Sequence, residues 1–251
     1  MSRPAGRTRI DRNKWDAADL DKPFGYNPHA YTAEIWNAVV KNNYSLVHRL
    51  IKNGYNIEKG DRLDPDHGGY NCNKRYSTPL CQAVDNGNEM MVLLLLQNNA
   101  KTIPSDRNYT PLHRAARLGL FRIVDALLRH GNDEDRLSQL STRFTNDSPT
   151  GGYTALHYAV HSHENAKNPN VDRFKTVQML IEYGANVFAL DMYGENALST
   201  VDLEISRETR SAKEYGYPLG ESSISHMQVK ELLEKTMEVA VRLRLWDYSE
   251  L

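Results

Sequence analysis

The apolar residues of this chain recur in a template that predicts pairs of short helices. The two clearest copies read TPLCQAVDNGNEMMVLLLLQNNA from Thr78 and TPLHRAARLGLFRIVDALLRHGN from Thr110. Parts of the same template recur as AEIWNAV from Ala33, TALHYAV from Thr154 and NALSTVD from Asn196. A short unit that repeats along a chain is typical of a solenoid, in which each copy packs on the next. Function is therefore sought on an extended surface before it is sought in a catalytic cleft.

Each copy carries the residues that begin and end two short helices. In the copy from Thr110, the threonine side chain suits a helix cap, and Pro111 suits the first helical position, where a missing backbone N–H costs nothing. Gly119 supplies the left-handed backbone conformation that ends this helix and turns the chain. The second helix follows with apolar residues at helical spacing, which are Ile123, Val124, Leu127 and Leu128. Two helices this short cannot bury an apolar face alone, so each copy needs neighbours on both sides.

The motifs of these copies are specific enough to indicate a family. The strings TPLHRAARLG, TALHYAV and LLRHG, with GAN at positions 184–186, resemble the ankyrin repeat family, whose unit has about 33 residues. The resemblance covers roughly Tyr31 to Leu245 and weakens at the ends, where Ile35 and Trp36 replace the family's leucine and histidine. It implies an all-α fold, an ankyrin repeat solenoid of about five helix-turn-helix units that start near 33, 78, 110, 154 and 196. The first and last units would serve as atypical caps, because end repeats face water on one side.

The intervals between the units leave room for four insertions. Two of them, about 58–76 and 133–153, follow the second helix of a unit, where the family has a β-hairpin finger. These insertions are expected at the finger edge of the solenoid. The other two, about 161–172 and 202–224, fall between paired helices and are expected as long inter-helix loops on the opposite edge. Inserted loops are often part of a binding surface.

The two ends of the chain differ from the repeats. Residues 1–28 are interpreted as a basic N-terminal arm followed by an apolar capping strap, and residues 29–251 as the repeat domain. The arm, residues 1–14, has one acidic residue, Asp11, against five basic ones, which are Arg3, Arg7, Arg9, Arg12 and Lys14. This composition suits a nuclear-import signal or an acidic partner, and it also suits a terminus without fixed structure. Near the other end, Ser225 and Gln228 fit a capping box, which with the apolar stripe that follows predicts a C-terminal capping helix over 225–246.

The resemblance also implies which residues bind a partner. In the family, the outward row of the first helices and the finger tips line a concave groove that holds partner proteins. The corresponding residues here are Arg114, Arg117, Leu118, Tyr158 and His161 on the helices, and Arg107, Asn108, Tyr109, Tyr153, Met192 and Tyr193 on the fingers. Tyrosine and arginine often carry binding energy at protein interfaces, so this surface suits a protein partner. The alternative for Tyr109, Tyr153 and Tyr193 is that they pack one finger against the next.

Composition narrows the classes of partner and the compartment. The formal net charge is −1 and the isoelectric point is near 6.8, so no bulk attraction favours nucleic acid or an anionic membrane. Cys72 and Cys81 are too few for a disulfide framework and are interpreted as reduced thiols. The first residues lack the apolar core of a signal peptide, and the longest apolar run, 90–96, is too short to span a membrane. These features favour the cytosol or the nucleus, and they leave the oligomeric state open.

Two clusters invite a metal-site interpretation. His157, His161, His163 and Glu164 have the spacing of metal ligands, since residues four apart share a helix face. However, the resemblance makes His157 the family histidine whose usual role is local hydrogen bonding that ties neighbouring repeats together. The acidic residues around Asp61, with His67 and Cys72, lack the regular spacing of a calcium loop. We assign neither cluster a metal.

The chain also lacks the sequence motifs of common catalytic sites. The chain has no GxSxG, GxxxxGK, GxGxxG or HExxH motif, and Cys81 falls in a packed helix where a thiol is inert. We therefore expect no enzyme activity, no cofactor and no small-molecule substrate. The favoured function is a protein–protein interaction module that acts as a scaffold, adaptor or inhibitor. The alternatives are a nuclear regulatory protein that uses the basic arm, or a metal-dependent activity built in the inserted loops.

Overall fold

The computed structural model describes residues 31–58, 78–102, 110–131, 133–143, 152–161, 171–216 and 218–242. These ranges contain eleven helices and no strand. In chain order the helices are α1 (Tyr31–Val40), α2 (Tyr44–Lys52), α3 (Pro79–Asp85), α4 (Glu89–Gln97), α5 (Pro111–Arg117), α6 (Phe121–Arg129), α7 (Asp133–Ser141), α8 (Ala155–Val160), α9 (Arg173–Glu182), α10 (Ala197–Tyr215) and α11 (Glu221–Arg242).

Ten of these helices form five pairs that stack side by side. The pairs are α1 with α2, α3 with α4, α5 with α6, α8 with α9, and α10 with α11. The first helices pack in the order α1, α3, α5, α8, α10, which we call the inner row, and α4, α6, α9 and α11 pack in a second row. The all-α repeat solenoid expected from the sequence is confirmed.

Helix caps and glycine turns define each pair as the residue types predict. The Thr78 side chain accepts a hydrogen bond from the Cys81 backbone N–H at 3.2 Å, and Pro79 occupies the first position of α3. Gly87 and Gly119 have φ of +63° and +67°, a conformation that side chains other than glycine's disfavour. Each of these glycines reverses the chain between the two helices of its pair.

The core is one continuous apolar cluster that runs through all five pairs. Its members are mainly leucine, isoleucine, valine and alanine, and the largest fully buried side chains are Ile35, Leu50, Leu80, Met91, Leu95, Leu112, Ile123, Leu127, Leu128, Leu156, Leu180 and Leu233. Every pair contributes to this cluster. The apolar side chains therefore pack between neighbouring pairs and do not form a separate core within each pair.

A buried histidine at the start of α5 links two repeats. The Nδ1 atom of His113 accepts a hydrogen bond from the Thr110 backbone N–H at 3.2 Å, so the ring proton lies on Nε2. That Nε2 donates to the Thr142 carbonyl oxygen at 3.0 Å, in the segment that leads to the next pair. Burial lowers the pKa of His113 to about 4, which keeps the ring neutral near neutral pH.

The same arrangement recurs one repeat further along. His157 accepts from the Thr154 backbone N–H at 3.3 Å and donates through Nε2 to the Glu195 carbonyl oxygen at 3.1 Å. Burial lowers the pKa of His157 as well. The hydrogen-bonding role that the resemblance implied for this histidine is confirmed.

Two of the expected insertions are helical where the structure describes them. Residues 133–141 form α7, which packs on α6, and residues 202–215 continue α10 without a break. The expectation of a long inter-helix loop over 202–224 is therefore wrong. The span 197–215 has neither glycine nor proline to end a helix, and α10 packs along α11. Helix α11 begins at Glu221, before the Ser225 start that the sequence predicted. The other two insertions lie almost entirely outside the described residues.

A close approach of two backbones at the finger edge generates the first test. Gly152 has φ of +80°, and a Cβ added there would lie 2.7 Å from the Met192 backbone nitrogen. Gly184 has φ of +92° but has open space around it, so it is a matched control. We expect Gly184→Ala to lower the free energy of unfolding by about 1 kcal/mol, and Gly152→Ala to lower it by at least about 2 kcal/mol. Urea unfolding measures both, and equal losses would contradict the contact.

The buried histidines generate a test of pH dependence. Because the folded-state pKa of His113 is lowered to about 4, the unfolded chain binds a proton that the folded chain does not. The contribution of His113 to stability is therefore complete above about pH 6.5 and falls by about 3 kcal/mol as the pH drops to about 4. We expect His113→Gln to be less stable at pH 8 and to show a shallower decline in melting temperature between pH 7 and 5. Replacing His48, which is exposed on α2, serves as the control.

Candidate partner-binding surface

The residues expected to bind a partner divide into three groups. Arg107, Asn108 and Tyr109 lie outside the described residues. Arg117, Met192 and Tyr193 are exposed, and Leu118 and His161 are half-buried. The remaining three are buried, which differs from the outward orientation that the sequence analysis gave them: Arg114, Tyr153 and Tyr158.

Arg114 is buried because a neighbouring repeat supplies its counter-ion. Its guanidinium donates to the Asp85 carboxylate of α3, and the arginine side chain retains 8 % of its exposure. A charged group is tolerated at such a depth when it is paired and hydrogen-bonded. Arg114 therefore joins α5 to α3 and leaves Arg117, one turn later, as the exposed arginine of this helix.

Tyr153 and Tyr158 are buried in a cluster of aromatic rings around α8. The ring of Tyr153 stacks on both His157 and His161, with centroids 5.3 Å and 5.5 Å apart, and meets Tyr158 edge-on at 5.4 Å. Tyr158 also meets His113 edge-on at 5.6 Å. The ring of Tyr153 thus packs on α8 of its own repeat, whereas the contact of Tyr158 with His113 joins α8 to α5 of the preceding repeat.

A polar chain leads from this cluster to the surface. The Tyr153 hydroxyl lies 3.1 Å from Nε2 of His161, and Nδ1 of His161 lies 3.2 Å from the Glu204 carboxylate. The Arg207 guanidinium donates to the same carboxylate at 2.8 Å and is itself exposed. Burial lowers the pKa of His161, although Glu204 acts in the opposite direction. The chain fixes the side of α10 that faces α8.

The sequence analysis does not place Glu204 and Arg207 beside α8, because it assigns residues 202–224 to an inserted loop and not to a helix. A signal was present in the sequence: the span 197–215 contains no glycine or proline, and Val201, Ile205 and Ala212 mark one helical face. A glutamate three residues before an arginine also suits a helical ion pair. These features predict a helix that continues well past residue 202, as α10 does.

The finger between α9 and α10 presents Met192 and Tyr193 to solvent. Asp191 is buried, and its Oδ1 accepts from the Tyr193 backbone N–H at 2.8 Å and the Glu195 backbone N–H at 2.9 Å. A backbone hydrogen bond from Asp191 to Glu195 closes the turn at 2.8 Å. Met192 and Tyr193 nevertheless remain 56 % and 63 % exposed. The hydrogen bonds of Asp191 thus fix the loop backbone, while its two largest apolar side chains are exposed to solvent.

The described residues contain few features of a metal-binding or catalytic site. No group of three or more histidine, cysteine, aspartate or glutamate side chains within these ranges is arranged to hold a metal ion, and His163, Glu164 and Cys72 lie outside them. Cys81 is buried, which raises the pKa of its thiol and disfavours the reactive thiolate. Among the helices that the structure describes, none has the length and apolarity needed to cross a membrane.

Comparisons with known proteins match most of the repeat region. A family model of ankyrin repeats, in three copies, matches residues 35–138, and a model of a single ankyrin repeat matches residues 151–192. Alpha-latrotoxin-Lhe1a of Latrodectus hesperus is similar at 27 % identity over 170 residues, which cover 62 % of this chain and 11 % of the toxin. The chain thus spans about a tenth of the length of this curated relative. Helices α10 and α11 follow the last residue that the family models match, which is residue 192.

The burial of Tyr153 is open to a direct test. We expect Tyr153→Phe to lower the free energy of unfolding by about 1 kcal/mol, since it removes one hydrogen bond but keeps the stacked ring. Tyr153→Ala should cost about 3 to 5 kcal/mol, because it also opens a cavity among the rings. Urea unfolding of both variants gives the two values. An alanine variant as stable as the phenylalanine variant would contradict the buried placement.

Proposed function

This chain belongs to the ankyrin repeat family, and we propose that it binds a partner protein through the inner row together with the finger at Met192 and Tyr193. Ankyrin repeats are generally protein–protein interaction modules. The family is also typically non-enzymatic, in keeping with the second part of the proposal, that the chain has no chemistry of its own. It would then act as a scaffold, adaptor or inhibitor in the cytosol or the nucleus.

The exposed pair Met192 and Tyr193 is the observation that carries this proposal. Met192 and Tyr193 are adjacent and both exposed, and methionine and tyrosine are both enriched at protein interfaces. Their loop is already fixed by the three hydrogen bonds of Asp191, so little conformational entropy would be lost when a partner binds. Rigid aromatic anchors of this kind are frequent hot spots.

The inner row extends the proposed surface on both sides of the polar chain. Arg117 and Leu118 lie at the end of α5, and Arg207 lies on α10 beyond His161. Arg207 is exposed at 70 % of its side chain although it pairs with Glu204, so it can also reach a carboxylate of a partner. A ridge of this composition suits a partner with an apolar patch and acidic groups around it.

The three buried residues among those expected to bind a partner have a structural role in this proposal. Arg114, Tyr153 and Tyr158 pack α5 and α8 on their neighbours and so help to set the positions of the exposed residues on α5 and α10. Their substitution would change partner binding only through the fold. Arg107, Asn108 and Tyr109 remain proposed finger residues by their place in the repeat.

Affinity capture from native cells with matched variants tests the proposal. We expect the full chain to retain a specific partner, and the double variant Met192→Ser with Tyr193→Ser to reduce the retained amount at least about tenfold, because hot-spot residues carry more than 1.4 kcal/mol. Met90→Ser is the control, since Met90 is 66 % exposed on α4 in the second row. Circular dichroism should show the same helical content in all three proteins. Equal capture by the double variant and the control would place the binding face elsewhere.

A further inference from the structure

Helix α10 carries its carboxylates and its cations on different sides. Glu204 and Glu208 are half-buried, and the carboxylate of each lies 3.2 Å from a histidine ring that another part of the last two repeats supplies. The three cations of this helix are all exposed, and they are Arg207, Arg210 and Lys213. The glutamates thus contribute to the packing of α10, while the cations face the solvent.

The exposed cations share one face of α10 with an exposed leucine. Successive residues are about 100° apart around a helix, so Leu203, Arg207, Arg210 and Lys213 fall within about 120° of its circumference. Leu203 is 47 % exposed. We call these four residues the α10 basic face. It covers about 15 Å of the helix axis and begins less than two turns after the start of α10, which follows the exposed finger directly.

Two of these cations have no counter-ion in the part of the chain that the structure describes. The side chains of Arg210 and Lys213 make no ion pair or hydrogen bond there. By contrast, the exposed lysines and arginines of α6, α9 and α11 pair with carboxylates, as Arg129 does with Asp125 at 2.8 Å. Arg207 is paired, yet 70 % of its side chain remains exposed. The α10 basic face therefore holds cations that no contact within the described fold neutralises.

The remaining carboxylates of α10 do not cancel this charge. Asp202 pairs with Lys230 of α11 at 2.7 Å. Glu214 is exposed near the end of the helix and makes no ion pair with a described residue. Three exposed cations on one side of α10 are therefore accompanied by one exposed, unpaired carboxylate. This side of the helix has a net positive charge, although the formal net charge of the whole chain is −1.

We propose that the α10 basic face binds an acidic helical segment of the partner protein, with carboxylates one turn apart and an apolar side chain against Leu203. The inference rests on the proposed function, because it names the chemistry of the partner at the surface that continues from the finger. Arg207, Arg210 and Lys213 follow one another at about 4.5 Å along the helix axis. Side chains one turn apart on a helix are about 5.4 Å apart, whereas those on one face of a strand are about 6.7 Å apart. A partner helix laid along α10 matches the spacing of the cations more closely.

The same face fits a protein segment better than a nucleic acid. Proteins that bind DNA strongly often neutralise about 6 to 10 phosphates, and the α10 basic face has three cations. Leu203 offers an apolar contact that a phosphate backbone does not use. The guanidinium groups of Arg207 and Arg210 have the geometry to hold a carboxylate through two parallel hydrogen bonds. Complementary charge of this kind sets specificity and the rate of association at protein interfaces.

Selection of the full chain against a displayed library of random peptides of about 12 residues, three turns of helix, tests the proposal. We expect the peptides that bind the wild-type chain to be enriched in aspartate and glutamate three or four positions apart. The double variant Arg210→Glu with Lys213→Glu should lose this enrichment. A peptide selected by the wild-type chain should bind the double variant at least about tenfold more weakly, because two attractions become repulsions. Fluorescence anisotropy of the labelled peptide measures the affinity.

The matched control is the double variant Lys235→Glu with Arg242→Glu on α11. It changes the net charge of the chain by the same amount, but both of these cations already pair with glutamates of their own helix. The control should bind the selected peptide as tightly as the wild-type chain does. Circular dichroism should show the same helical content in all three proteins. An equal loss of binding in both variants would overturn the proposal, since net charge alone would then explain it.

Three further results would overturn the α10 basic face as the site. One is a wild-type selection without acidic enrichment, which needs no variant to be folded. Another is acidic enrichment that survives the double variant Arg210→Glu with Lys213→Glu. The third is a single-stranded DNA of about 12 nucleotides that binds the wild-type chain more tightly than the selected peptide does, because it would assign the face to nucleic acid.

The variant Met192→Ser with Tyr193→Ser separates this proposal from the binding role of the finger. Acidic peptides that depend on Arg210 and Lys213 but not on the finger would support the α10 basic face and contradict the finger. Peptides that depend on the finger and not on these two cations would contradict the α10 basic face alone. The two proposals can therefore fail independently.

Discussion

The lateral contact between neighbouring helix pairs is the interaction on which this molecule depends. Helices of six to ten residues make up the first four pairs, and such helices are marginal in water. Their stability comes from leucine, valine and alanine side chains that are buried between one pair and the next. Because each pair packs on its neighbours, the core runs along the whole stack.

Buried polar contacts give this apolar stack its register. A leucine-rich surface tolerates sliding, whereas a hydrogen bond from a buried ring to a backbone carbonyl is satisfied in one position. His113 and His157 make such bonds to the segments that follow, and the Arg114–Asp85 ion pair does the same between α3 and α5. These buried histidines and this ion pair thus fix the relative positions of neighbouring repeats. The exposed finger at Met192 and Tyr193 is correspondingly well placed for recognition.

The last repeat differs from the others in the length of its two helices. Helices α10 and α11 have 19 and 22 residues, against seven and nine in the pair from α3 and α4. A longer hairpin needs more fixed points, and the polar contacts of Glu204, Glu208 and His226 supply them toward α8. The proposed binding surface lies against this hairpin, so the geometry of the hairpin helps to set the geometry of the surface.

The sequence by itself determined the repeat, the helix pairs and their limits in the middle of the chain. Threonine and proline at Thr78 and Thr110 and the glycines that follow act locally, within one turn of helix, and so they can be read without neighbours. Leucine and alanine at helical spacing likewise identified the buried faces. It was the same local character that made the exposed finger at Met192 and Tyr193 predictable.

Only the tertiary structure decided which polar and aromatic residues face inward. Arg114, Tyr153 and Tyr158 have surface-like residue types, and their burial depends on an aspartate or a ring that another helix brings into contact. The burial of His226 likewise depends on its contacts with Glu208 and with Val160, 66 residues away. Such contacts depend on how pairs stack, and the energy of a buried polar group is fixed by its partners and not by its own identity.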